Sequence, residues 1–522
     1  MPKIRHPNGT RLKQQKKKKS ASIQRAVLFY LMFSIIAIAL LGPAFLSKTF
    51  DSELNHTSNL LKSVNISNYD APFSSDTTTV NDKKKPNPLQ VGYAITITNC
   101  TTDNERQLID AAAVLQHSIH LSSSRNPFSK SRYDYQMYAF IHNDAKNMCD
   151  KVASALQQIG YQIQWRPTPF QLQDISNALL QEKIHKQGCC EEKEFLKLYT
   201  LQLKHSIAVH LDLDTLVLKP WDHLFNTMLV GIATNKDNNS NNNFAADRAL
   251  VQRQVQSHNP HTSKNWLPSE IISYFTRDYN MAKPGIKPLR VGMQGGFWIV
   301  RPSLEVFDEI LTMIIHNGDR YNIECGWGGC DIGSARFYGG AGFQGVISYF
   351  YTFYLPEVTG KPSQFVELDR CLFNNMVDTA RSGCQQNKGD VAACNHCNDT
   401  AFSYLYGVHF TLCGKPWICP RPEIPLCYRL HHAWHTIRVD FEDEWRTTTS
   451  SSNVSKTTSG SRYVALDDTV YLDDPKGPKY TKRIFQKFPS HCPKPGKKAY
   501  QSISFENLRN RVPLYSTTTS SR

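Results

Sequence analysis

Two acidic side chains one residue apart follow an apolar run in SIAVHLDLDTLVLKPWDHLF, Ser206 to Phe225. In an extended chain, residues i and i+2 point to the same face, so Asp212 and Asp214 can converge on one cation. Hard divalent ions such as Mg²⁺ and Mn²⁺ want oxygen ligands of this kind and keep positions open for a substrate's phosphates. A bare D-x-D triplet is more often a pair of solvated turn carboxylates. The strand in front of it is what favours chemistry, because open α/β sheets bind ligands at the carboxyl ends of their strands.

Three further segments carry usable groups. VHFTLCGKPW, Val408 to Trp417, ends a buried run on His409 and places Lys415 six residues later. An imidazole offers a nitrogen ligand to the same cation and an ammonium a point charge for a phosphate oxygen, although a lone histidine among apolar neighbours is more often a hydrogen-bonded core residue. QGGFWIVRPS, Gln294 to Ser303, sets Gly295 and Gly296 where backbone can approach a ligand closely; its bland reading is a strand bulge. GWGGCDIGSARFYGGAGFQG, Gly326 to Gly345, is a glycine-rich loop with a single acid, Asp331. Neither is a P-loop, since G-x-x-x-x-G-K-[ST] is absent, and no G-x-G-x-x-G follows the first strand.

The elements that must hold these groups alternate. Val91 to Thr98 reads as a strand and the following stretch as a helix, with Leu108, Ala111, Ala112, Leu115 and Ile119 at helical spacing. Tyr135–His142 is a strand, Met148–Ile159 a helix, Tyr161–Trp165 a strand, Phe195–Lys204 a helix and Ser206–Leu211 a strand. Leu289–Val300 then reads as a strand, Pro302 and Ser303 open a helix, and Tyr404–Phe410 is a last buried strand. Alternation of this kind predicts an α/β fold with a mixed, mainly parallel central sheet.

The ends of the chain point to a compartment. Residues 26–46 run 21 positions without a charge, about the length that crosses a bilayer core, and are too long for the apolar part of a cleaved signal peptide. Residues 1–25 carry nine Lys or Arg and no acid, so the positive-inside rule puts them in the cytosol as a basic tail and everything after residue 46 on the luminal side. This tail also explains the formal charge of +15 on 522 residues; the rest carries +6, and a nucleic-acid partner is not expected. All fourteen cysteines and six N-x-Ser/Thr sequons, at Asn55, Asn65, Asn99, Asn238, Asn398 and Asn453, follow the apolar segment, as disulfides and N-glycans require. Cys384, Cys394 and Cys397 around His396 permit zinc, but in an oxidising lumen they read as disulfide partners. Residues 47–88 are a polar stem, 89–446 the catalytic domain, and 447–522 a Ser/Thr-rich tail of uncertain order.

Taken in order, the four segments resemble the glycogenin-like members of glycosyltransferase family 8, over roughly residues 89–435. That resemblance implies a GT-A (Rossmann-like) fold, a UDP-sugar donor, Mn²⁺ (or Mg²⁺) as cofactor and transfer with retention of anomeric configuration. It implies that Thr98 and Asn99 meet the uridine, that Lys197 in FLKLYTLQL lies near the transferred sugar, and that Asp212 lies toward ribose and metal. Asp214 and His409 complete the metal set, and Lys415 contacts the diphosphate. Two departures touch the donor sugar: Gln294-Gly295-Gly296 stands for the family's N-S-G, and Gly328-Gly329-Cys330-Asp331-Ile332-Gly333 for D-G-G-D-Q-G, keeping one acid. Leu412 replaces the glycine of the family's H-x-x-G-x-x-K-P-W ending, with Gly414 close by. The expectation is a Golgi, single-pass type II membrane glycosyltransferase that moves a hexose-type sugar to a glycan or glycoprotein acceptor, with Lys197 and Asp331 nearest the chemistry. Gln294, Gly295, Gly296 and Lys415 would bind substrate. The alternative is a catalytically inactive relative acting as a glycan-binding or scaffold protein; a homodimer is left open.

Overall fold

The structure, a computed structural model, describes residues 89–186, 190–229, 241–255, 267–279, 291–323, 326–328, 340–379, 394–421, 423–450 and 487–503. The basic tail, the apolar segment 26–46, the stem and Asp331 lie outside these residues. Among the described residues no helix is long and apolar enough to cross a membrane.

Seven strands form one sheet. β1 (Leu89–Ile97), β2 (Tyr133–His142), β3 (Tyr161–Arg166) and β4 (Ala208–Leu211) are joined by β6 (Ser273–Arg277), β7 (Met293–Val300) and β10 (Phe365–Glu367), in the spatial order β3-β2-β1-β4-β7-β6-β10; β5 (Thr215–Val217) and the short pair β8 (Tyr321–Asn322) and β9 (Gly326–Trp327) lie apart from them. β7 runs antiparallel to both its neighbours, while the other pairings are parallel. β1 and β2 are buried along almost their whole length, as strands covered on both faces must be, which is why they read as continuous apolar runs.

Helices supply the cover. α1 (Glu105–Leu121) turns Ile109, Ala112, Leu115 and Ile119 into the core shared with β1 and β2. Its Val114 faces the opposite way, into a second core with Leu430, Trp434 and Ile437 of a long C-terminal helix, Pro425–Ser450. α2 (Lys146–Gln158) packs beside α1, and a disulfide from its Cys149 to Cys100 ties it to the end of β1. α3 (Leu304–Ile315) starts where Ser303 accepts a hydrogen bond from the Val306 amide at 3.1 Å, the N-cap that the sequence predicts.

Two expectations are corrected. Phe195–Lys204 is not an α-helix; Glu191–Gln202 winds as successive 3₁₀ turns. Phe195 to Thr200 are all buried, with no solvent face, so surrounding packing sets the path of this segment and not its own propensity. The last strand is only β11 (Gly407–His409); Phe402–Tyr404 is a 3₁₀ turn, and β11 pairs antiparallel with β5 outside the main sheet. Within the C-terminal region whose order the sequence leaves uncertain, residues 487–503 are packed, joined by Cys419–Cys492 to the body of the protein. The other described disulfides are Cys371–Cys397 and Cys413–Cys427, and no free cysteine is found among the described residues.

Candidate active site

The chain runs β1, β2 and β3 outward to one edge and then returns to lay β4 on the other side of β1. Strand order reverses between β1 and β4, and the crevice beyond their carboxyl ends is where such sheets bind ligands. Thr98 and Asn99 follow β1 there, half-buried and exposed respectively, and Asp212 follows β4.

Asp212 and Asp214 are not on the strand itself but in the turn from β4 to β5, so their meeting is not a product of strand alternation. The turn is held from three sides. The Asp212 amide donates to the Gly296 carbonyl at 3.0 Å, extending the β4–β7 ladder by one residue. The Thr215 hydroxyl donates back to the Asp212 carbonyl at 2.7 Å. The Phe410 amide donates to the Asp214 carbonyl at 2.8 Å, and β5 pairs Thr215 with His409. The result sets His409 Nε2 at 3.2 Å from Asp214 Oδ1 and 4.0 Å from Asp212 Oδ2. One ligand atom from each of the three residues lies within 4.8 Å of the other two.

Two ammonium groups complete the cluster. Buried Lys197 sits 3.1 Å from Asp212 Oδ1, donates to the Gly295 carbonyl at 3.0 Å and has Glu194 at 3.7 Å. Lys415, 40% exposed, contacts the other carboxylate through Asp214 Oδ2. Gly414 before it has φ +72°, so it takes over the turn that Leu412 cannot make.

Burial alone would raise the Asp212 carboxyl, but Lys197, His409 and His210 outweigh it and hold it well below the usual carboxylate range. Burial would likewise lower Lys197, yet Asp212 and Glu194 keep it above its ordinary value. Burial pushes His409 down, against the pull of Asp212 and Asp278, and pushes Lys415 down against Asp212. Burial thus favours the neutral imidazole, the form in which a histidine binds a metal.

The donor set fits a hard-to-borderline divalent cation: two carboxylates and one neutral imidazole, converging in a half-buried turn. Gly296 shows how tightly the cluster is packed. A Cβ there would lie 2.4 Å from Asp212 Oδ2 and 2.7 Å from His409 Cε1, so backbone must occupy that space.

Of the remaining residues expected here, Gly295 carries the carbonyl that binds Lys197, and its own Cβ would stand 2.9 Å from Gln344 Cγ. Gln294 is turned inward: its side-chain oxygen accepts from the Gly296 amide at 2.6 Å and from Asn374 at 3.2 Å, so it braces the glycine pair. Sequence reasoning missed Glu194, Asn374 and Asn375. The Asn375 carbonyl accepts from the His409 amide at 3.0 Å, and its side chain donates to the carbonyls of Cys371 and Cys397 at 2.8 and 3.0 Å. The only signal for it was the neighbouring pair of cysteines.

No family model matches the sequence, and no curated protein does. Among solved structures the chain is similar to mouse xyloside xylosyltransferase 1 in its apo form, with 10% identity, 62% of this chain and 99% of that one covered, and a TM-score of 0.32. It is similar also to the glycosyltransferase GlyE of Streptococcus pneumoniae TIGR4 (10% identity, 69% and 64% covered, TM-score 0.32). A third is the galactosyltransferase LgtC in complex with donor and acceptor sugar analogs (8% identity, 68% and 99% covered, TM-score 0.32). All three are glycosyltransferases. Superpositions this loose assign no family, and the functional reading rests on the chain's own residues.

Proposed function

We propose that this chain is a retaining glycosyltransferase of the GT-A type that transfers a hexose-type sugar from a UDP-sugar to a glycan or glycoprotein acceptor. Residues 26–46 would anchor it in the Golgi membrane with the catalytic domain in the lumen. The observation that supports this reading best is the convergence of Asp212, Asp214 and His409, between Lys197 and Lys415, at the point where strand order reverses.

The charges of the cluster suit this substrate. Three carboxylates, Asp212, Asp214 and Glu194, stand against two ammonium groups, so the site is within about one charge of neutral, and a divalent cation and a diphosphate can enter as a mutually compensating pair. Asp212, Asp214 and His409 would hold Mn²⁺, which when bound supplies positive charge for the leaving diphosphate. Lys415 already faces Asp214 and is exposed enough to reach an anionic ligand; it stabilises the charge that builds up as the sugar–phosphate bond breaks. Lys197 fixes the rotamer of Asp212 and ties it to the Gly295 carbonyl, which preorganises one wall of the site. Retention and the UDP moiety come from the family resemblance, as does a role for Asp331 beside the sugar.

The test is release of UDP from a panel of UDP-sugars by the purified chain with Mn²⁺, with the products identified by mass spectrometry. Turnover of one donor that stops on chelation supports the reading. No turnover with any donor, together with no protection of the protein by any nucleotide, would favour a glycan-binding or scaffold role.

A further inference from the structure

The loop that presents Lys415 is fastened at both ends. Cys413 before it is bonded to Cys427 on the C-terminal helix, and Cys419 after it to Cys492 in the segment 487–503. That segment adds more than a disulfide. The Gly496 amide donates to the Cys419 carbonyl at 3.1 Å, and the turn Lys497–Ala499 packs beside the turn Pro416–Ile418 that follows Lys415.

A second fastening lies farther along. The Tyr500 hydroxyl donates to Asp110 Oδ2 at 2.7 Å and accepts from Arg438 at 2.8 Å, and the Ile503 amide reaches the same Asp110 oxygen at 3.0 Å. Asp110 is fully buried on α1 and Arg438 almost fully buried on the C-terminal helix, so this pin joins two helices of the catalytic body. Trp434 lies between the two fastenings, with ring centroids 6.0 Å from Trp417 and 6.4 Å from Tyr500. The link from these fastenings to the cation ligands runs through Lys415, which pairs with Asp214.

We infer that residues 487–503 are a positioning clasp for the Lys415 loop, setting the affinity for the donor's diphosphate through Lys415. The inference rests on the proposed function. Its logic is that a lysine on a loop gains affinity from preorganisation: each degree of freedom removed beforehand is one that binding need not remove. The C-terminal region is thus part of the donor site, through Tyr500, Asp110 and the Cys419–Cys492 bond.

The experiment uses the full-length chain and three variants: Tyr500→Phe, Asp110→Asn, and Cys419→Ser with Cys492→Ser. Mn²⁺ affinity is read from the electron paramagnetic resonance signal of the free ion, and UDP affinity by calorimetry at saturating Mn²⁺. The expected result is Mn²⁺ affinity not weakened, since a looser Lys415 only frees Asp214, with UDP binding weakened about tenfold, the loss of one well-placed charge-assisted contact. Tyr500→Phe removes one oxygen and keeps the ring, which guards against misfolding of the cysteine pair. UDP affinity equal to wild type in all three variants would overturn the clasp. So would parallel loss of Mn²⁺ and UDP, which marks a merely structural role. If the wild-type chain binds Mn²⁺ but no UDP, the proposed function itself falls, and the clasp with it.

Discussion

At the residue scale the cluster makes sharp demands. Asp214→Asn keeps the shape and removes the charge, and is expected to reduce metal-dependent turnover at least 100-fold, several kcal/mol of transition-state stabilisation, with the melting temperature little changed. UDP release and a thermal melt check both halves; a collapsed melt would mark the site as structural. Gly296→Ala tests the packing, because its methyl must displace either the Asp212 carboxylate or the His409 ring. Mn²⁺ affinity measured by resonance titration should fall at least tenfold, while Gly360→Ala, which strains a left-handed helix cap (φ +63°) but meets no neighbouring atom, leaves it alone. The residues that offer ligands or charge were legible in the sequence because Asp212, Asp214, His409 and Lys415 sit in short contiguous motifs. Glu194 was not, because it acts on Lys197 from three residues away in a segment that carries no motif, and Asn375 was not, because it reaches His409 from an earlier stretch of chain through a backbone carbonyl with no side-chain signature.

The elements decide whether those side chains meet. β5 and β11 are three residues each and would not persist alone. β11 is held by Asn375, whose amide bridges Cys371 and Cys397, themselves a disulfide. Asn375→Ala removes the side-chain donor of the Cys371 carbonyl and leaves the Cys397 carbonyl to the Thr400 amide alone, and is expected to cost about 1–3 kcal/mol of stability. Denaturant unfolding measures this, and a weakened Mn²⁺ affinity in the same variant would show that β11 positions His409. The main strands were legible from their apolar runs, and α3 from its Ser303 cap. The 3₁₀ segment Glu191–Gln202 was not, because burial on all sides erases the amphipathic stripe that separates one helix type from another. Residues 487–503 have no periodicity at all; Cys492 was the single hint that they dock.

At the scale of the whole molecule, many histidines are kept neutral by burial. It lowers His120 and His210 to about 3, and His223, His431 and His432 to about 4. Each folded value lies below the ordinary 6.5, so the unfolded chain binds more protons as pH falls, and the stability these groups contribute, intact above about 6.5, is lost progressively below it. Burial raises Asp110 to about 7, with Asp222 and Glu444 also raised, and these act in the opposite direction. Five groups against three leave a net proton uptake on unfolding of at least about one, worth roughly 1.4 kcal/mol per pH unit. The melting temperature should therefore fall by a few °C between pH 7 and pH 5 in a scanning fluorimetry series. A rising melting temperature over that range would mean the carboxylates dominate.

Whether Asp212, Asp214 and His409 share one cation can be read from the anomalous scattering of crystals grown with Mn²⁺. A strong peak is expected within coordination distance of one oxygen from each carboxylate and of His409 Nε2, lost in crystals of His409→Ala. A well-ordered site with no peak, or a peak elsewhere while the three side chains keep to one another, would contradict a shared cation.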